Sequence, residues 1–103
     1  MSVLLNRPRI KEKKMDLFQI LLNIHDYQDD QTIYAIEPWL LESQALVLKE
    51  PHDGLIQVRY NNSIFEYFLE VLLVKELFAD LESQNLCIRD QCQRIIEYAI
   101  YDA

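Results

Sequence analysis

Residues 63–82, SIFEYFLEVLLVKELFADLE, are the longest apolar run in the chain, and how they are read decides the fold. Taken as one element, the run predicts a helix. Ser63 and Glu66 stand at the spacing of a capping box, in which each side chain satisfies an unpaired backbone N–H of the first turn. At 100° per residue, Glu66, Glu70, Glu76 and Asp80 gather within about a third of the circumference, and apolar side chains occupy most of the rest. Leu73 and Leu77 fall inside that acidic stripe, so they are the two apolar positions least easily buried by the chain itself. Such a helix is roughly 28 Å long at 1.5 Å per residue. It carries six ionisable residues, each costing about 2.5 kcal/mol at mid-bilayer, which argues against a membrane span. A competing pattern starts one step earlier. Asn61-Asn62 suits a two-residue hairpin turn, which makes residues 63–68 a fourth strand; the capping box and the continuity into LEVLLVKELF favour the helix.

Working back from this run, residues 32–36 (TIYAI) are β-branched and aromatic, and Glu37-Pro38-Trp39 closes them as a strand. Gln44–Lys49 and residues 55–60 read as two more strands. The segment between them, Glu50-Pro51-His52-Asp53-Gly54, holds the chain's one glycine where a turn needs a left-handed residue. The expectation is a three-stranded antiparallel meander. Before it, Leu17, Phe18, Leu21 and Leu22 follow helical spacing behind an Asp16/Gln19 capping pair, and His25 sits at that helix's end. After the long run, a helix over Ile88–Tyr101 buries a stripe of Ile88, Cys92, Ile95, Ile96 and Ala99. Tyr98 and Tyr101 cannot both face the same core. The whole is an α+β domain: N-terminal helix, three-stranded antiparallel meander, then a long central helix and a C-terminal helix on one sheet face. One sheet face cannot surround a helix that is apolar nearly all round, so either the flanking helices complete the enclosure or a second copy does. A homodimer through Leu73 and Leu77 follows from the second option.

Charge divides the chain into 1–14 and 15–103. Five of the ten basic residues precede Met15, which leaves residues 15–103 with five basic against sixteen acidic residues, a net of −11. Residues 1–14 read as a mobile basic arm or as a leader ahead of Met15, and 15–103 as a single acidic domain. An acidic field disfavours nucleic acid and anionic membrane and favours a basic protein partner. With a single glycine there is no phosphate-cradling loop. His25 and His52 are isolated, and Cys87 and Cys92 lie about 140° apart on a helix, so neither a metal site, a cofactor nor a disulfide is expected. The apolar stretch at the start is too short for a signal peptide, which implies a cytoplasmic location.

The segments TIYAIEPW, SQALVL, YFLEVLLVKELF and IIEYAIYDA resemble a group of small bacterial proteins of about one hundred residues, a likeness that implies no activity. In size and acidity the chain is also similar to toxin-immunity proteins. The leading expectation is a non-enzymatic interaction factor of immunity or regulatory type, whose contact residues are Tyr34, Glu37, Trp39, His52, Glu66, Glu70, Leu73 and Leu77. The alternative is a small enzyme or ligand-binding domain with its site near Trp39 and His52. Aromatic anchors such as Trp39 at a strand end are enriched at binding surfaces.

Overall fold

The computed structural model describes residues 15–49 and 56–102. In chain order these form β1 (Met15–Asp16), α1 (Leu17–Leu22), a 3-10 turn (Ile24–Asp26), β2 (Gln31–Ala35), β3 (Gln44–Lys49), β4 (Gln57–Tyr60), β5 (Ser63–Glu70), α2 (Val71–Leu81), a second 3-10 turn (Glu82–Gln84) and α3 (Ile88–Tyr101). The fold is α+β, with a five-stranded antiparallel sheet in the order β1-β3-β2-β5-β4. The basic arm or leader over 1–14 and the turn over Pro51 to Gly54 lie outside the described residues.

Two expectations are corrected. Residues 63–82 are not one helix: the first eight are β5, and α2 begins at Val71. Asn61 and Asn62 both have positive φ, 52° and 65°, as a type I′ hairpin turn requires, and asparagine tolerates this region where most residues do not. The turn sets Tyr60 opposite Ser63 and Gln57 opposite Glu66. Glu66 therefore makes no capping box; its carboxylate accepts a 3.0 Å hydrogen bond from the Gln57 side chain. The three strands, moreover, do not form a meander. β3 and β4 are not neighbours, because β2 and β5 stand between them.

Both corrections have one physical cause. β5 supplies the partner that β2 lacks on its second edge, so β2 becomes a central strand and is buried along most of its length. The apolar excess of residues 63–70 is then shared between the two faces of a strand. Phe68 and Leu69 enter the main core, Phe65 and Tyr67 point to the opposite face beside Tyr34, and a register shift between Ile33 and Tyr34 lets Phe68 do so. Phe65, Phe68 and Leu69 are buried in this way, while Ile64 stays 42% exposed.

The helical core lies on one sheet face, where Ile33, Ala35, Ala45, Phe68 and Leu69 meet Leu17, Ile20 and Leu21 of α1, Val71 and Val74 of α2, and Cys92, Ile95, Ile96 and Ala99 of α3. The predicted α1 capping box is present: Asp16 accepts from the Gln19 N–H at 2.8 Å, and the Gln19 side chain accepts from the Asp16 N–H at 3.1 Å. The α3 stripe is also as expected except for Ile88, which is exposed in the first turn. β5 stops at the rung Glu70–Thr32, one residue short of the start of β2, and the chain then satisfies its backbone within α2 instead. Lys75 of α2 holds the turn ahead of β2, donating to the Tyr27 carbonyl at 3.0 Å and to Asp29 at 2.7 Å. No helix among the described residues is long and apolar enough to cross a membrane.

Candidate interaction surface

Trp39 sits in the segment that links β2 to β3, and hydrogen bonds shape that segment closely. The Ser43 hydroxyl donates to the Pro38 carbonyl at 2.8 Å and accepts from the Leu40 N–H at 2.8 Å. The Ser43 and Leu41 carbonyls in turn accept from the first-turn N–H groups of Leu17 and Phe18, at 2.8 and 2.9 Å. These donors are the ones an α-helix leaves unpaired at its start, so the segment and α1 fix one another. The indole N–H donates to the Ala35 carbonyl at 3.2 Å, and the ring meets Phe68 edge-on with centroids 5.1 Å apart. Trp39 thereby closes one margin of the core while keeping part of its surface open.

The open side of Trp39 borders a groove of about 620 Å³ lined by Glu37, Pro38, Trp39, Ala99 and Ile100. On the other flank of α3 lies a second groove, of about 380 Å³, bordered by Leu77, Asp80 and Leu81 of α2, by Arg94, Glu97, Tyr98 and Tyr101 of α3, and by Asp102 after it. Exposed apolar side chains surround this end of the molecule: Leu40 is 50% exposed, Ile100 46% and Tyr101 78%. Four carboxylates, from Glu37, Asp80, Glu97 and Asp102, face a single arginine among the lining residues. Among the described residues, Glu97 accepts one long contact, 3.5 Å from the Gln93 amide.

The contact residues expected from sequence do not converge. Glu37 and Trp39 share the first groove. Tyr34 is fully buried on the sheet face turned away from the main core, edge-on to Tyr67 at 6.0 Å. Glu66 is half-buried beside Gln57, and Glu70 is exposed where β5 hands over to α2. Leu73 and Leu77 are half-buried and pack against the core, with Leu77 also opening into the second groove. His52 lies outside the described residues. Ile100, Glu97 and Asp102 line the two grooves and are not among the residues expected from sequence. The signal for Ile100 was available: it is apolar, it lies on α3, and it stands off the stripe formed by Cys92, Ile95, Ile96 and Ala99.

Reactive groups are sparse. The Cys92 thiol is buried in the core, and desolvation pushes it up to about 11, so it stays protonated and inert near neutrality. Cys87 is exposed and free ahead of α3. Burial, and then the neighbouring Asp26 charge, raise the Tyr27 hydroxyl above its ordinary value. No group of three or more histidine, cysteine or carboxylate side chains suited to a metal ion occurs among the described residues. Compared with known proteins, the chain matches no family model, no curated protein and no solved structure at a significant level.

Proposed function

We propose that this protein is a non-enzymatic interaction factor, of regulatory or immunity type, that binds a basic protein partner through the end of the molecule formed by the Trp39 segment and the last turns of α3. The observation that carries this reading is the joining of exposed apolar side chains to a carboxylate-rich rim. Ile100 and Leu40 offer apolar area beside Trp39, while Glu37, Glu97, Asp80 and Asp102 supply negative charge around the two grooves. Apolar anchors within a charged rim are the common anatomy of a protein-binding patch. The net −11 of residues 15–103 adds long-range attraction for a basic partner and raises its rate of encounter.

The test is affinity capture from the native host with the wild-type chain and with a Glu37→Lys, Glu97→Lys double variant. A stoichiometric basic partner is expected on the wild type at low salt. It should be lost as salt approaches about 0.5 M, where the Debye length falls to roughly 4 Å, and it should be absent from the double variant at any salt. Equal capture by both proteins places the contact elsewhere and overturns the reading.

A further inference from the structure

The two grooves lie on either side of α3 and share no lining residue: Ala99 and Ile100 border the first, Glu97, Tyr98 and Tyr101 the second. Ile100 opens toward Trp39, and Glu97, Tyr98, Tyr101 and Asp102 line the groove beside Leu77; helical spacing sets Glu97 and Tyr101 opposite the buried stripe, on the outer ridge of α3. We propose that the grooves act as one saddle for a basic amphipathic helix of the partner, laid across α3 with one apolar side chain in each groove. This rests on the interaction reading above and specifies the partner's form.

The spacing follows from helix dimensions. A helix with its side chains is about 10–12 Å across, so a segment that straddles α3 needs anchors about that far apart. Two residues seven apart on a partner helix share a face and are separated by roughly 10.5 Å along its axis. A residue midway between them points at the ridge, opposite Glu97. An arginine there gains a charge-assisted hydrogen bond to the Glu97 carboxylate, which has little internal company. Glu37 and Asp102 on the outer rims favour further basic residues toward the ends of the segment and repel acidic ones. An apolar-faced helix in a hydrophobic groove is an established mode of peptide recognition.

The probe is a capped 14-residue helical peptide rich in alanine and lysine, with two leucines seven apart and arginine midway, followed by fluorescence polarisation at low salt. Two control peptides replace the arginine by glutamate or keep the composition while moving the leucines to opposite helix faces. Each control is expected to bind about tenfold or more weakly than the probe. On the protein, Glu97→Lys should weaken probe binding by about tenfold, while Glu76→Lys, a reversal of the same size at an exposed α2 position lining neither groove, should cost less than about threefold. Equal losses for the two variants overturn the saddle and leave a diffuse acidic surface for a basic partner. Indifference to leucine spacing overturns the helical mode. Equal affinity for the glutamate peptide, which is still basic through its lysines, overturns the arginine contact at Glu97 and with it the saddle.

Discussion

β5 and α2 are consecutive, both strongly apolar, and joined without a glycine, a proline or a loop, yet one is a strand and the other a helix. Composition tilts each half a little. Three aromatics favour the strand in residues 63–70, whereas leucine, lysine, glutamate and alanine favour the helix after Val71. The larger difference is in what lies alongside. β5 has strands on both edges, β2 and β4, and it buries Phe68 and Leu69 in the main core and Phe65 outside it. α2 begins while one residue of β2, Gln31, is still without a β5 partner, and its fully buried residues are Val71 and Val74. Flanking strands and the residues' own propensities together set the boundary at Glu70.

Truncation of a large side chain on each half measures this asymmetry most directly. Phe68 is fully buried in β5, between the core and the Trp39 ring, and Phe68→Ala is expected to cost about 3–5 kcal/mol. Leu72, the second residue of α2, is 44% exposed, and Leu72→Ala should cost about 1 kcal/mol or less, since alanine also favours the helix. Urea unfolding followed by Trp39 fluorescence reads both. Comparable losses would mean that both halves bury their apolar residues alike, as a single all-apolar helix would.

How far the sequence discloses this fold depends on how local the deciding signal is. α3 is legible to its ends because its stripe, its polar faces and its length all agree within fourteen residues. The Asp16/Gln19 box that opens α1 is equally local. Residues 63–70 fail the same reading because a capping-box spacing and an acidic stripe arise there by coincidence, while the evidence for a strand sits outside the segment, in two asparagines and two distant partners. Sheet order is less legible still, since β3 and β4 are close in sequence but separated in the sheet by β2 and β5. The surface was half visible. Trp39 stands out as an aromatic beside a proline, but its groove requires Ala99 and Ile100 from the far end of the chain.

If the Asn61-Asn62 turn is what commits residues 63–70 to a strand, its backbone is the next place to press. A β-branched residue at a left-handed position costs roughly 1–2 kcal/mol. Asn62→Val should therefore lower stability by about that amount, and Asn62→Gly should match or slightly exceed the wild type, because Asn-Gly is the preferred type I′ pair. Amide hydrogen exchange adds spatial detail. Protection in Asn62→Val should fall first at β4 and the first half of β5, with α2 unaffected; loss of protection in α2 at the same rate would show the two halves to be one cooperative unit rather than two joined ones.

The smallest expected effect lies at the last rung of β5, where Glu70 pairs with Thr32. Thr32 is fully buried, and its hydroxyl has no hydrogen-bond partner among the described residues. A buried hydroxyl left unpaired costs about 1–3 kcal/mol, while valine keeps nearly the same shape and an equal preference for a strand. Thr32→Val is accordingly expected to stabilise the protein by about 1 kcal/mol in urea unfolding. Thr32→Ser retains the hydroxyl, loses the methyl group and should destabilise it by a similar amount. A loss of stability in the valine variant would show that the hydroxyl makes a contact worth keeping at this rung, and the end of β5 would then be held by side-chain chemistry as well as by its backbone pairing with β2.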